Sequence, residues 1–309
     1  MIPVYLINGF LDGGKTTFIS YTISQPYFQM KDKTLIICCE QGDEEYADEL
    51  LRASNSVLEV IEEEEQFSAS YLIELEKKHK PGRIILEWNG MWNVKKMKMP
   101  WHWKVEQQVT CLCGTTFSIY FSNMKSQLAE MLRKSELIIL NRCDNLPNLP
   151  NYKRNLKAIN QKAEIIFEDS AGEMSVVMDE DLPYDLKSDL LSLNDEQYGI
   201  WYIDALENTD RYLDKTIEFV ATVFTPKNFP EGYFVPGRMA MTCCADDMAF
   251  IGFACKYEGA EKLEQKSWLK IRAVIKREFL DVYGEEGPVL HAVSLEKIEK
   301  PKEEIISFV

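Results

Sequence analysis

Short apolar runs alternate with amphipathic stretches through the first half of the chain. The runs are Val4–Ile7, Thr34–Cys39, Ser56–Ile61, Arg83–Glu87, Gln107–Leu112 and Leu137–Leu140. Uninterrupted apolar runs of this length suit strands buried on both faces. Helical spacing falls between them, over Thr16–Ser24, about Glu44–Ala53, Ser68–His79 and Asn123–Ser135. Alternation of this kind over residues 1–168 predicts an α/β domain, a mostly parallel sheet with helices on both faces.

The second half has a different rhythm. Residues 169–205 are polar and acidic, and read as a linker that becomes a docking segment at Tyr198–Ile203. From Lys215 the period is two, with candidate strands at Thr216–Thr225, Gly237–Cys243, Ala249–Lys256, Trp268–Glu278 and Val289–Ile298. Turns are expected at Pro226–Pro230, Glu258-Gly259, Tyr283-Gly284 and Glu286-Gly287-Pro288. Five strands so spaced predict a small, mainly-β, OB-like barrel, because closure removes exposed edges. The expected division is 1–170, an α/β domain; 171–212, a linker and docking segment; and 213–309, a β-domain.

Composition narrows the functions. The chain has 309 residues, enough for two domains of about 100–200 residues each, and a net charge of -15 from 35 basic and 50 acidic residues. Non-specific nucleic-acid binding needs basic surface, so that class is disfavoured. Met1-Ile2-Pro3 runs straight into a strand without a basic leader, and no run of ~20 apolar residues is present, so neither a signal peptide nor a membrane span is expected. Eight cysteines in that setting read as reduced thiols of a cytoplasmic protein rather than a disulfide scaffold.

The chemistry begins at the first strand. Gly9, Gly14, Lys15 and Thr16 fit the phosphate-loop pattern G-x-x-x-x-G-K-[ST] between an apolar run and a helix. Glycines let the backbone curl so that its N–H groups face phosphate oxygens, and the helix adds its positive end. Lys15 would neutralise β- and γ-phosphate charge, and the Thr16 hydroxyl would ligate Mg²⁺. Glu40-Gln41-Gly42-Asp43-Glu44-Glu45 ends the second run, where open α/β sheets bind ligands. It is placed either to face a metal or simply to start a helix. Glu87 stands at another strand end beside Trp88-Asn89-Gly90, suited to sensing Mg²⁺ and the γ-phosphate. Asn141-Arg142-Cys143-Asp144 fits the guanine-reading pattern N-[KR]-x-D. A carboxylate at Asp144 can accept from guanine N1–H and the 2-amino group, donors that adenine lacks. The other reading makes Asp144 the start of a turn. Val94–Trp103, rich in Lys, Met and Trp, reads as a loop or short helix covering the sheet, or as a partner surface. Glu62–Glu65 reads as a solvated face or a metal-collecting patch.

With these motifs, residues 1–168 resemble the CobW/HypB/UreG group of P-loop GTPases. The resemblance rests on Gly9–Thr17, Glu40–Glu44, Glu87–Gly90 and Asn141–Asp144. It implies a P-loop NTPase fold and GTP hydrolysis coupled to delivery of zinc, nickel or cobalt to a protein client. It implies that Gly9, Asp12, Gly13, Gly14, Lys15, Thr16 and Thr17 hold phosphate, and that Thr16, Glu40 and Glu87 lie near Mg²⁺. It assigns the base to Asn141, Arg142 and Asp144. Lys15, Thr16, Glu40 and Glu87 form the implied catalytic set, with Glu40, Asp43 and Glu44 the candidates for positioning water. Related GTPases often dimerise when loaded, so a nucleotide-dependent homodimer is expected. The chain departs from the group in three places. Asp12 replaces a small residue, Arg142 replaces a lysine, and Val57–Glu65 lacks the usual Cys-x-Cys-Cys metal motif.

The second half resembles the C-terminal domain of YcgQ-type proteins, through Phe229-Pro230, Gly237-Arg238, Thr242–Asp247, Trp268 and Pro288–Leu290. Cys243, Cys244 and Asp246 form a candidate zinc set by donor chemistry. Adjacent strand residues point to opposite faces, so the alternative is one core cysteine and one in a turn. The sequence therefore predicts a Mg²⁺-dependent GTPase serving metal homeostasis. The competing reading is a metal-binding adaptor that uses Cys243 and Cys244 and retains residual nucleotide binding.

Overall fold

Strand β1 (Ile2–Asn8) lies inside a sheet built with β2 (Thr34–Cys38), β3 (Ser56–Val60), β4 (Arg83–Glu87), β5 (Trp103–Cys113), β6 (Leu137–Asn141), β7 (Glu164–Asp169) and β8 (Gly172–Met174). The computed structural model describes residues 1–174, 182–227, 229–241 and 248–307. The strand order is β3-β2-β4-β1-β5-β6-β7-β8. All neighbours run parallel except β7 and β8. This is the expected α/β sheet, with one antiparallel strand added at its edge.

The alternation of side chains across a strand makes two cores. Val4, Leu6, Leu35, Ile37, Ile84 and Leu86 face one way and meet Leu72 and Leu75 of helix α3 (Ala69–His79). Ile7, Ile36, Ile85, Val109 and Ile139 face the other way. There they meet Ile19 and Ile23 of α1 (Lys15–Ser24) and the partly buried Leu50 and Leu51 of α2 (Asp48–Ala53). Two elements differ from expectation. Helix α2 starts at Asp48 rather than Glu44, and Ala47 is extended at φ -65 and ψ 130. The helix expected over Asn123–Ser135 is α5 (Lys125–Leu132), and an unexpected α4 (Gly114–Asn123) precedes it, parted from it at Met124 with φ -131 and ψ 33. Val94–Lys96 is one short 3₁₀ turn, and nearby Trp92, Met97 and Met99 pack on the α3-side core, in keeping with the loop or short helix expected over the sheet.

The described chain divides into two compact units. The first holds Met1–Leu149 and the chain from Ile159 through the end of β8, and the second holds Pro150–Ala158 and the remainder. Helix α6 (Leu149–Ile159) therefore belongs mostly with the second unit, and its Lys157 pairs there with Glu207 at 2.6 Å.

The second unit contains β9 (Leu190–Ser192), α7 (Asp195–Glu207), β10 (Thr216–Phe224), β11 (Tyr233–Met241), β12 (Met248–Gly252), β13 (Cys255–Lys256), β14 (Trp268–Leu280), β15 (Glu285–Ile298) and β16 (Ile305–Ser307). Ladders join β10 to β11, β11 to β13, β13 to β15, β15 to β14 and β14 back to β10, so the pairing circuit closes. The stretch expected to dock, Tyr198–Ile203, lies inside α7 instead. Tyr198 and Trp201 are three residues apart, hence on one helix face, and both are buried in the core with Phe219, Phe253 and Ile271. Asn194 and Gln197 form a capping box at the helix start. The turn expected at Glu286-Gly287-Pro288 is instead part of β15, with Pro288 opposite Arg277. Strand β15 meets β13 only at Leu290 and His291, so its other side is an edge at Pro288, where a proline is tolerated.

Cys243, Cys244 and Asp246 lie outside the described residues. Cys38, Cys39, Cys111, Cys113, Cys143 and Cys255 are all buried free thiols. Among the described residues no cluster of three or more His, Cys, Asp or Glu could hold a metal, and no helix is long and apolar enough to cross a membrane.

Candidate functional site

Strand β1 ends at Asn8, and Gly9–Gly14 turn the chain into α1. Gly14 is the residue before the helix, at φ 87, and a Cβ there would sit 2.4 Å from Asn141 Nδ2. No side chain caps this helix start, so its first N–H groups are left for an anion. A second close approach comes from Gly90, where a Cβ would lie 2.3 Å from the Gly9 carbonyl oxygen. The tip of the loop thus rests on backbone from the turn after β4.

Lys15 is buried, at 4% exposure. Its ammonium donates to Gly9 O at 3.0 Å and Phe10 O at 2.9 Å, and pairs with the Glu40 carboxylate at 2.5 Å. The Thr16 hydroxyl donates to Glu87 Oε1 at 2.8 Å. Glu87 is 1% exposed, and its other oxygen accepts from the Tyr46 hydroxyl at 2.5 Å. The pocket around this group is lined by Asp12, Glu40, Asp43, Glu44 and Glu87 against Lys15 and Arg142, together with Gly13, Gly14 and Thr17. Five carboxylates face two cations there.

A larger cavity of about 720 Å³ adjoins it, sharing Gly14, Thr17 and Arg142. Its walls include Phe18, Tyr21, Asn141, Asp144, Glu168 and Ser170. Asn141 donates to Gly13 O at 2.8 Å, which fixes the Asn141–Asp144 motif to the phosphate loop. Arg142, at φ 54, donates to Asp12 O at 3.1 Å. Asp144 Oδ1 accepts the Ser170 N–H at 3.0 Å, and hydrogen bonding from Ser170 holds its carboxyl below the usual range.

Burial first, then the Glu87 charge, pushes Cys38 up to about 12. Burial does the same to Cys111, also to about 12. Both stay protonated at neutral pH. The chain after β3 runs through Ile61 and Glu62–Glu65 without a cysteine.

The structure therefore brings Gly9, Asp12, Gly13, Gly14, Lys15, Thr16, Thr17, Glu40, Glu87, Asn141, Arg142 and Asp144 to one region of the first unit. Sequence reasoning missed Tyr46 and Ser170. Neither belongs to a spacing pattern; each joins through a contact made only when distant segments meet.

Residues 3–167 match the family described as CobW/HypB/UreG, nucleotide-binding domain, and residues 170–306 match the DUF1980 C-terminal domain. HypB from Archaeoglobus fulgidus is similar at 19% identity over 54% of this chain and 81% of its own, with a TM-score of 0.38. The Zn(II)-bound YjiA GTPase from E. coli is similar at 15% identity over 72% and 73%, with a TM-score of 0.40. HypB from Helicobacter pylori in complex with nickel is similar at 16% identity over 54% and 80%, with a TM-score of 0.37. No curated protein matches the chain.

Proposed function

We propose, from the premise that this chain belongs to the CobW/HypB/UreG nucleotide-binding family over residues 3–167, that it is a Mg²⁺-dependent switch that binds and hydrolyses GTP. One observation carries the reading. A phosphate loop and a cavity large enough for a nucleoside adjoin at Gly14, Thr17 and Arg142, with Lys15 at one end and Asp144 at the other.

The roles follow from the contacts. The nucleotide takes Lys15 from Glu40, exchanging a carboxylate partner for phosphate oxygens. The bare start of α1 receives further phosphate charge. Asp144 gives up the Ser170 N–H and accepts from guanine N1–H and the 2-amino group. Arg142 lies along the border between base and phosphates. Glu40, Asp43 and Glu44 line the phosphate pocket and are the groups placed to orient a water.

The donors fit Mg²⁺: a hydroxyl and a buried carboxylate, both hard oxygens, face each other across 2.8 Å at Thr16 and Glu87. Bound by that pair, the ion supplies charge neutralisation on the β- and γ-phosphates. The pocket needs such help, because its carboxylates outnumber its cations and repel a polyphosphate. A role in metal homeostasis, with a protein client and a nucleotide-dependent homodimer, extends the proposal on family membership alone.

The test is a titration of metal-stripped protein with fluorescent GTP and ATP analogues, with and without Mg²⁺. GTP is expected to bind in preference to ATP and only with Mg²⁺. Asp144→Asn should weaken GTP binding and remove the preference over ATP, because an amide no longer accepts from both guanine donors. Equal binding of both nucleotides, or none, overturns the reading.

A further inference from the structure

We propose that Tyr46 is a positioning residue for Glu87, fixing the carboxylate that faces Thr16 and tying it to the acidic segment Glu40–Glu45. The inference rests on the GTP- and Mg²⁺-binding reading above and names a residue outside its motifs.

Glu87 ends β4 and sits opposite Ile7 of β1 and Cys38 of β2. A buried carboxylate is stable only when hydrogen-bonded or paired. Two hydroxyls donate to it, one on each oxygen: Thr16 at 2.8 Å on Oε1 and Tyr46 at 2.5 Å on Oε2, and the weaker Cys38 thiol donor also reaches it. Thr16 is the group that a cation recruits by its lone pair. The Tyr46 donor is therefore the one that stays dedicated to the carboxylate when Thr16 is engaged elsewhere.

Position gives Tyr46 its second property. It lies between β2 and α2, in the stretch expected to be helical but irregular here. Its ring packs against the core on the α1 face of the sheet, which holds Ile7, Ile19 and Ile36. Two residues before it, Glu44 lines the phosphate pocket with Asp43. The same short segment thus carries pocket-lining carboxylates and the hydroxyl that holds Glu87. Glu87 set for a cation and the segment set around the phosphates are one arrangement. Outer partners of a metal-ligating carboxylate typically matter about 10–100-fold in metal affinity.

The test measures binding of a fluorescent GTP analogue across a Mg²⁺ series and in excess EDTA. It compares wild type, Tyr46→Phe, Glu87→Gln and the double variant. Phenylalanine keeps the packed ring and removes only the donor. The Mg²⁺ concentration at half-maximal binding is expected to rise about 10-fold or more in Tyr46→Phe. In the Glu87→Gln background the same change should add nothing, since coupled groups are not additive. A wild-type midpoint in Tyr46→Phe overturns the assignment. So does an equal loss in EDTA and in Mg²⁺, or an undiminished effect in the Glu87→Gln background. A wild type without Mg²⁺-dependent GTP binding overturns the underlying reading instead.

Discussion

At the scale of single residues, Gly90 shows how the loop is held from below. A side chain there would run into the Gly9 carbonyl, and backbone cannot yield as a flexible side chain can. Gly90→Ala is expected to weaken GTP binding by about 1–3 kcal/mol, the usual cost of overpacking, with far-UV circular dichroism unchanged. An unaltered titration would show that the turn after β4 does not shape the loop. The thiols give a second prediction. Cys38 and Cys111 are pushed to about 12 by burial, so they carry little thiolate at pH 8. Cys113 is raised by burial, but hydrogen bonds from Thr115 and Thr116 outweigh this and leave it lowered. Its sulfur also accepts from Arg142 at 3.8 Å. Among the six described thiols it should be alkylated first in folded protein, as peptide mass mapping will show. The glycines, Lys15, Thr16 and Asp144 were legible in the sequence because spacing along one loop encodes them. Tyr46 and Ser170 were not, because their partners Glu87 and Asp144 lie 41 and 26 residues away.

At the scale of elements, cross-strand charge sets a pH response in β10. Glu218 accepts from Arg272 on β14 and pairs with Lys270 at 2.9 Å, while Ser192 on β9 donates at 3.2 Å. Hydrogen bonds from Arg272, then Lys270, hold its carboxyl below the ordinary 4.5. A folded value below the unfolded one adds stability above pH 4.5, and that stability is lost as the pH falls through the folded value. Glu218→Gln should lower the melting temperature at pH 7, and the gap from wild type should close in acid. A gap that is constant with pH would mean that packing, not charge, is lost. A second tie is Arg238 on β11, fully buried, which donates to Asp195 at 2.5 Å and to the Glu303 carbonyl at 2.6 Å. Arg238→Met leaves those acceptors without their donor and should cost about 3 kcal/mol in denaturant unfolding. The strands of the first unit were readable because both of their faces are buried, which leaves unbroken apolar runs. Helix α4 was not, since Gly114-Thr115-Thr116-Phe117 carries weak helix formers that tertiary packing overrides. Helix α7 was mistaken for a docking segment because its Tyr and Trp gain meaning only once β10 and β14 surround them.

At the scale of the whole molecule, the net charge of -15 opposes compaction, and salt should relieve it. Moderate sodium chloride is expected to raise the melting temperature. A fall on adding salt would mean that attractive pairs such as Lys157–Glu207 outweigh the repulsion. The chain also passes between its two units more than once, because Pro150–Ala158 belong to the second unit while the segments on either side belong to the first. A fragment ending at residue 174 carries that helix without its own unit. Protease should cut it within 150–158 sooner than it cuts the full chain, as timed mass spectrometry will read. Translation meets the same fact in time. A ribosome finishes α6 long before β14 and β15 exist, so the helix emerges without the body it will join. The first sheet can close once β7 and β8 are made, yet Leu156, buried in the finished protein, must wait in water. The second unit, made later, therefore takes in an element synthesised well before most of it.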